Sequence, residues 1–243
     1  MSEIDHETII DRGLLSRRLL EINVVANDAQ IECLAVHAEA VLERNKNLNL
    51  TRITEPTQVI RLHIADSATA LEFIDASPPG GVADLGSGAG FPGVPVAILR
   101  DRPVTLVESV RKKASFLREL CEMLGLDMRV AGCRTEELTL EERERFAVVT
   151  ARALCSLPSL VELAAPLLTI NGVLVALKGS PTKEEIRSGE IAAKLCGFDP
   201  EEVARFVLPG GAEERTIFTY RLNRKPQVRL PRRPGMAQRH PLA

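Results

Sequence analysis

Between residues 7 and 48 the apolar positions return every three or four residues. Ile31, Leu34, Ala35, Ala38, Val41 and Leu42 form one stripe, the spacing of an amphipathic helix. Asn27 or Asp28 supplies a cap for it. Thr54 and Pro56 open a second helical stretch to about Ile74, with Val59, Leu62, Ala70 and Phe73 on its apolar side. Ser77-Pro78-Pro79-Gly80-Gly81 then breaks the pattern. Beyond it, short apolar runs alternate with helical ones. Strands are expected at 82–85, 104–107, 128–131, 147–150, 173–177, 203–208 and 216–222, and helices at 94–99, 112–124, 158–168 and 182–195. This alternation predicts an α/β fold with a mostly parallel seven-stranded sheet and a helical N-terminal extension. The last two strands are close in sequence and are expected to pair antiparallel at the sheet edge. The chain divides into a helical region at 1–77 packed on the core, a main domain at 78–223 and a basic tail at 224–243.

Composition narrows the picture. The 243 residues are 45% hydrophobic, enough for one large α/β domain with an extension. Net charge is −2, so the whole chain is no basic nucleic-acid binder. From residue 221 onward, however, Arg221, Arg224, Lys225, Arg229, Arg232, Arg233 and Arg239 occur with no acid. That asymmetry points either to a polyanionic partner or to a solvated basic tail. Five cysteines include no CxxC pair, and the four histidines show no ligand spacing, so neither disulfides nor a metal are expected. No signal peptide or membrane span is visible, and a cytoplasmic protein with reduced thiols is expected.

The densest chemical signal is Val82-Ala83-Asp84-Leu85-Gly86-Ser87-Gly88-Ala89-Gly90-Phe91-Pro92-Gly93. A strand running into a glycine-rich loop and then a helix is a cofactor arrangement. Two registers compete. Gly88, Gly90 and Gly93 fit the GxGxxG of dinucleotide enzymes. Asp84, Gly86, Gly88 and Gly90 fit the DxGxGxG of S-adenosylmethionine-dependent methyltransferases. In either, Glu108 at the end of the next strand would accept from ribose hydroxyls. Three details favour the methyl donor. The turn starts at Gly86; Asp84 at the loop's mouth repels a pyrophosphate and welcomes a cation; and Pro92 and Pro95 lack the N–H groups that cradle phosphate. Arg134-Thr135-Glu136-Glu137 after the third strand suits either an adenine contact or a helix's first turn. Arg152 and Lys178 close the fourth and fifth strands at the edge where α/β sites form.

These residues in this order resemble the RsmG (GidB) family, bacterial 16S rRNA guanine-N7 methyltransferases. The likeness runs over roughly residues 28–240. It includes Asn45-Lys46-Asn47-Leu48-Asn49-Leu50-Thr51, then Arg61, His63, Asp66 and Ser67, the glycine loop with Phe91-Pro92-Gly93, and Leu106-Val107-Glu108-Ser109 with Arg111-Lys112-Lys113. It continues through Arg134 to Glu137, Ala151-Arg152-Ala153-Leu154, Leu177-Lys178-Gly179 and Pro231-Arg232-Arg233-Pro234-Gly235. One departure bears on the packing of the N-terminal helix: the family has an aromatic before the Asn of the first motif, and here it is Arg44. The resemblance implies a Rossmann-like class I methyltransferase. It implies S-adenosylmethionine contacts at Gly86, Phe91, Thr135, Glu136 and Arg152, to which the residue chemistry adds Asp84, Gly88, Gly90 and Glu108. Asn45, Arg61, His63, Lys178 and the basic tail fall on the RNA side, as candidates for substrate positioning. The implied partner is 16S rRNA or the small ribosomal subunit, its target guanine in the decoding-region loop; the oligomeric state stays open, a monomer being favoured.

Guanine N7 carries an unprotonated lone pair, so the implied reaction needs no obligatory base. Alignment and electrostatics would carry it, and the chain shows no convincing acid/base pair. His63 and Asp66 share a helix face at i and i+3, either orienting the base or holding the N-terminal helices to the core. Two readings from other classes stay open here: a dinucleotide-dependent oxidoreductase, and a non-catalytic RNA-binding assembly factor with a relic loop.

Overall fold

In the computed structural model, which describes residues 9–141 and 145–243, the expected N-terminal helix is two. Asp11 caps α1 (Arg12–Leu20) by accepting from the Leu14 N–H. Asn27 caps α2 (Asp28–Leu48) through a reciprocal capping box with Gln30. The break between them centres on Asn23 at φ 60, a left-handed conformation Asn tolerates better than most residues. Residues 7 and 8 of the predicted helix lie outside the described residues.

The next helix is also interrupted. Glu55 caps α3 (Pro56–Val59), accepting from the N–H groups of Thr57 and Gln58. Ile60–Ala65 then winds as a π-helix before α4 (Asp66–Ala68) and α5 (Leu71–Asp75). The wider turn rotates the side chains out of the 3.6-residue register. Arg61 and His63 are thereby buried, while Leu62, expected on the apolar side, is only half-buried.

The sheet has seven strands in the order β3-β2-β1-β4-β5-β7-β6. They are β1 (Val82–Leu85), β2 (Val104–Val107), β3 (Arg129–Ala131), β4 (Phe146–Arg152), β5 (Leu168–Lys178), β6 (Phe198–Val207) and β7 (Glu214–Leu222). The first five are parallel, and β7 runs antiparallel to both β5 and β6. Connecting helices are α6 (Gly93–Leu99), α7 (Arg111–Leu124), α8 (Thr135–Glu141), α9 (Leu157–Ala164) and α10 (Lys183–Leu195). The helix expected to reach residue 168 ends at Ala164, ahead of Pro166, which has no N–H to continue it. Leu168 already belongs to β5.

Two apolar cores flank the sheet. On one face Val82, Val104 and Leu106 pack with Leu34, Ala38 and Val41 of α2 and Phe116 and Leu120 of α7. On the other Ala83, Leu85 and Val149 pack with Leu160, Val161 and Ala192. The N-terminal helices thus complete one face of the sheet rather than forming a core of their own. Arg44 lies 5.8 Å from the Phe116 ring centroid and pairs with Glu119, so a cation over an aromatic face holds α2 to α7.

Residues 224–243 fold back onto the second core. Leu230 and Ala237 are buried there, and a short helix, α11 (Met236–Arg239), lies against α9. Several of the basic residues from Arg221 onward are ion-paired: Arg221 with Glu201, Arg224 with Asp199 and Arg232 with Glu162. Among the described residues no helix is long and apolar enough to cross a membrane, and no cluster of three metal-binding side chains occurs.

Candidate active site

The glycine loop leaves β1 at the C-terminal edge of the sheet. Gly86 and Ser87 donate their N–H groups to the Val107 carbonyl at 2.8 and 3.1 Å, and Gly90 donates to the Ser87 carbonyl at 2.7 Å. Gly88, at φ +57, faces open space: a Cβ there would meet only the Gly86 oxygen, at 3.7 Å. A backbone that open admits a ligand. Gly93 serves packing instead, because a Cβ there would fall 2.3 Å from Leu106 Cδ2.

The carboxylates have distinct tasks. Asp84 lies beneath the loop, not at its mouth, and is fully buried. Its Oδ2 accepts from the Gly93 N–H at 3.1 Å and its Oδ1 from the Thr150 hydroxyl at 3.1 Å. Burial pushes its pKa up to about 6, against the opposing pull of these donors. The carboxylate therefore occupies the first N–H of α6, the position where a dinucleotide's phosphate would sit. Glu108 faces the loop. It accepts from the N–H of Gly88 at 3.0 Å and of Val110 at 2.7 Å, which leaves acceptor capacity for vicinal hydroxyls. A diol acceptor beside an open glycine backbone, with no free phosphate cradle, suits the ribose of S-adenosylmethionine.

Phe91 is clasped. Its ring stacks between His37 of α2 (centroids 4.4 Å apart) and His63 of the π-helix (4.7 Å). The Arg152 guanidinium sits 5.4 Å from the same ring's centroid. The ring is 3% exposed, so what Phe91 presents to a ligand is its backbone. His37 was not anticipated: it lies on the apolar stripe, and its one sequence signal is a polar ring three residues after Leu34 and four before Val41. Its Nε2–H donates to the Ala89 carbonyl at 2.8 Å, and its Nδ1 is buried without a partner. Burial, first, and the nearby Arg152 push its pKa down to about 4.

Asn45, His63 and Arg152 form one relay. Asn45 brackets Thr51, accepting from its N–H and donating to its carbonyl, both at 2.9 Å. The Thr51 hydroxyl lies 2.8 Å from His63 Nε2, and Arg152 donates to His63 Nδ1 at 2.8 Å. Since Arg only donates, Nδ1 accepts and Nε2 carries the proton. Arg152 also donates to Asp66 at 3.0 Å, and Arg215 donates to the same carboxylate at 2.8 Å. Burial, then the charge of Arg152, pushes the His63 pKa down to about 3. His63 is neutral and both its nitrogens are engaged.

Arg61 pairs with Glu213 beside β7 and with Gln58. Lys178 pairs with Glu185 at 2.7 Å and donates to the Cys155 carbonyl at 2.9 Å, a setting separate from the relay. Thr135 and Glu136 start α8. Glu136 accepts from the Gly235 N–H at 2.6 Å, a contact that joins the site to the C-terminal segment.

The model of the GidB family, rRNA small subunit methyltransferase G, matches residues 30–217. The ribosomal RNA small subunit methyltransferases G of Bacillus cereus and Bacillus thuringiensis are each 36% identical over 228 residues, covering 92% of this chain and 95% of theirs. Among solved structures, the 1,6-didemethyltoxoflavin-N1-methyltransferase of Burkholderia thailandensis, with bound S-adenosylhomocysteine, is similar at TM-score 0.50 and 18% identity. It covers 65% of this chain and 77% of that one. The geranyl diphosphate C-methyltransferase of Streptomyces coelicolor, also with S-adenosylhomocysteine, is similar at TM-score 0.52 and 15% identity, covering 65% and 79%. At these identities the likeness establishes the methyltransferase fold.

Proposed function

The chain belongs to the rRNA small subunit methyltransferase G family, and on that premise we propose that it methylates N7 of a guanine in the decoding-region loop of 16S rRNA. It is an S-adenosylmethionine-dependent rRNA methyltransferase. The dinucleotide register has no support: the Gly93 N–H is taken by Asp84. Nor does a relic loop, since the glycines, Asp84 and Glu108 are all in use. The observation that carries the cofactor reading is Glu108, which reaches back to the Gly88 N–H across the open loop.

The bound cofactor supplies an electrophilic methyl group on a sulfonium. In our reading Gly86, Gly88, Gly90 and the Phe91 backbone line its path, Glu108 takes its ribose hydroxyls, and Thr135 and Glu136 flank its adenine. Asp84 acts from below, fixing the start of α6 and supplying a buried negative charge. Arg152 ties this site to the helical region at 1–77, where Asn45, Arg61 and His63 shape the substrate side of the 78–223 domain; Lys178 stands further along the same sheet edge. His63 takes no proton from guanine, whose N7 has none to give. Among the basic residues of 224–243, Lys225, Arg229, Arg233 and Arg239 remain to contact RNA phosphate, which positions RNA without reading its sequence. An enzyme of ribosomal RNA acts in the cytoplasm, where that RNA is made and assembled.

Mass spectrometry of 16S rRNA from cells with and without the gene tests the assignment. The expected result is one 7-methylguanosine lost from the decoding-region loop and restored by the wild-type chain. An unchanged modification map would refute it.

A further inference from the structure

The C-terminal segment meets the start of α8, whose Thr135 and Glu136 flank the adenine in the cofactor reading above. A cavity of about 50 Å³ opens among the ends of β1, β2 and β3, lined by Gly86, Val107, Cys133, Glu136 and Leu154 and, from the far end of the chain, by Gln238. The segment that carries Gln238 is fixed at several points. Leu230 and Ala237 are buried in the core. Arg232 makes a two-pronged pair with Glu162 of α9, which is 3% exposed, and donates to the His240 carbonyl at 2.7 Å. The Gly235 N–H donates to Glu136. Strap and cofactor domain therefore share a carboxylate at the start of α8.

The cavity is small beside the roughly 300–1,000 Å³ of sites that take molecules of this size. Some of its walls cannot retreat: Gly86 is tied to the Val107 carbonyl, and β2 and β3 are locked in the sheet. Two walls can. One is the Leu154 side chain, which stands close over Gly86. The other is the turn of α11 carrying Gln238, an exposed residue.

We propose that residues 232–240 are a strap forming the outer wall of the adenine subsite, displaced to admit S-adenosylmethionine and closed again with the Gln238 amide on the adenine edge. The inference rests on the cofactor reading above. An amide carries both a donor and acceptor, and an adenine edge offers the matching amino donor and ring-nitrogen acceptor. The Arg232–Glu162 pair and the Gly235–Glu136 bond act as the hinge and the latch.

Calorimetric titration with S-adenosylhomocysteine, on wild type and Gln238→Ala, tests this together with amide exchange across 232–240. We expect wild type to bind, with exchange in the strap slowed at saturation. Gln238→Ala should melt like wild type and bind about tenfold more weakly, the loss of a well-made hydrogen-bonded contact. Equal affinity in the variant, or strap exchange indifferent to bound ligand, overturns the proposal. So does a Gln238→Ala variant that loses 16S rRNA affinity but keeps its cofactor affinity, which would make the strap an RNA contact only. Failure of the wild type to bind S-adenosylhomocysteine would instead sink the cofactor reading itself.

Discussion

Mild acid should destabilise this protein well above the pH at which exposed carboxylates protonate. His37 and His63 are buried and neutral, with pKa values pushed down to about 4 and about 3. In the unfolded chain both return to about 6.5. Between that value and the folded ones, the unfolded state holds protons the folded state lacks, so stability rises with pH. Each histidine contributes about 1.4 kcal/mol per pH unit. Their contribution is complete above about pH 6.5 and is lost as pH falls toward the folded values. Asp84 works in the opposite sense. Its pKa is raised to about 6, so below that value the folded state gains a proton first and recovers about 1.4 kcal/mol per unit. The net slope is therefore about 2.7 kcal/mol per unit from pH 6.5 to 6 and about half that from pH 6 to 5. The sum from pH 7 to 5 is about 3 kcal/mol, a large share of a domain's usual 5–15 kcal/mol. Urea unfolding followed by far-UV circular dichroism, at fixed ionic strength and half-unit pH steps, reads it directly. His63→Gln should halve the steeper slope. Stability that is flat or rising on acidification from pH 7 to 5 would show that the two rings are not held neutral, and the relay drawn through His63 would be wrong.

His63→Gln should also retain methyl transfer within about tenfold, because no base is needed; a loss of about a thousandfold, the scale of general-base catalysis, with fold and RNA binding intact would make His63 catalytic. Gly93→Ala would place a Cβ 2.3 Å from Leu106 and 2.8 Å from Asp84 Oδ2, and should cost about 1–3 kcal/mol from overpacking along with cofactor affinity. Unchanged melting and S-adenosylhomocysteine titration would contradict that.

The sheet was legible because buried parallel strands are short, apolar and separated by helices, and β1 and β2 fall where the apolar runs put them. Boundaries were missed where one residue overrode the period: Asn23 splitting the first helix, Pro166 ending α9 early. The π-helix was invisible, since a wider turn leaves no mark in composition, and it left Leu62, expected on the apolar side, only half-buried. At the site, Glu108 and the glycines could be read from local order alone. His37, Thr51, Arg215 and Gln238 could not. His37, Thr51 and Arg215 reach the site through hydrogen bonds and ring stacking, across as many as 149 residues, and Gln238 only lines a neighbouring cavity. The ion pairs of the basic residues from Arg221 onward were equally hidden, for their partners Glu162, Asp199 and Glu201 lie in other segments.

The clasp on Phe91 has a consequence for how this enzyme is divided. One imidazole comes from α2 and the other from the π-helix, both upstream of the glycine loop, and the loop's aromatic is stacked between them. The cofactor loop is thus a joint possession of two stretches of chain. A module cut at residue 78 would carry every glycine and both carboxylates and still lack the grip that sets their shape. Drift in the N-terminal helices is for the same reason constrained by the glycine loop, and a change there can disturb that loop without touching any of its own residues.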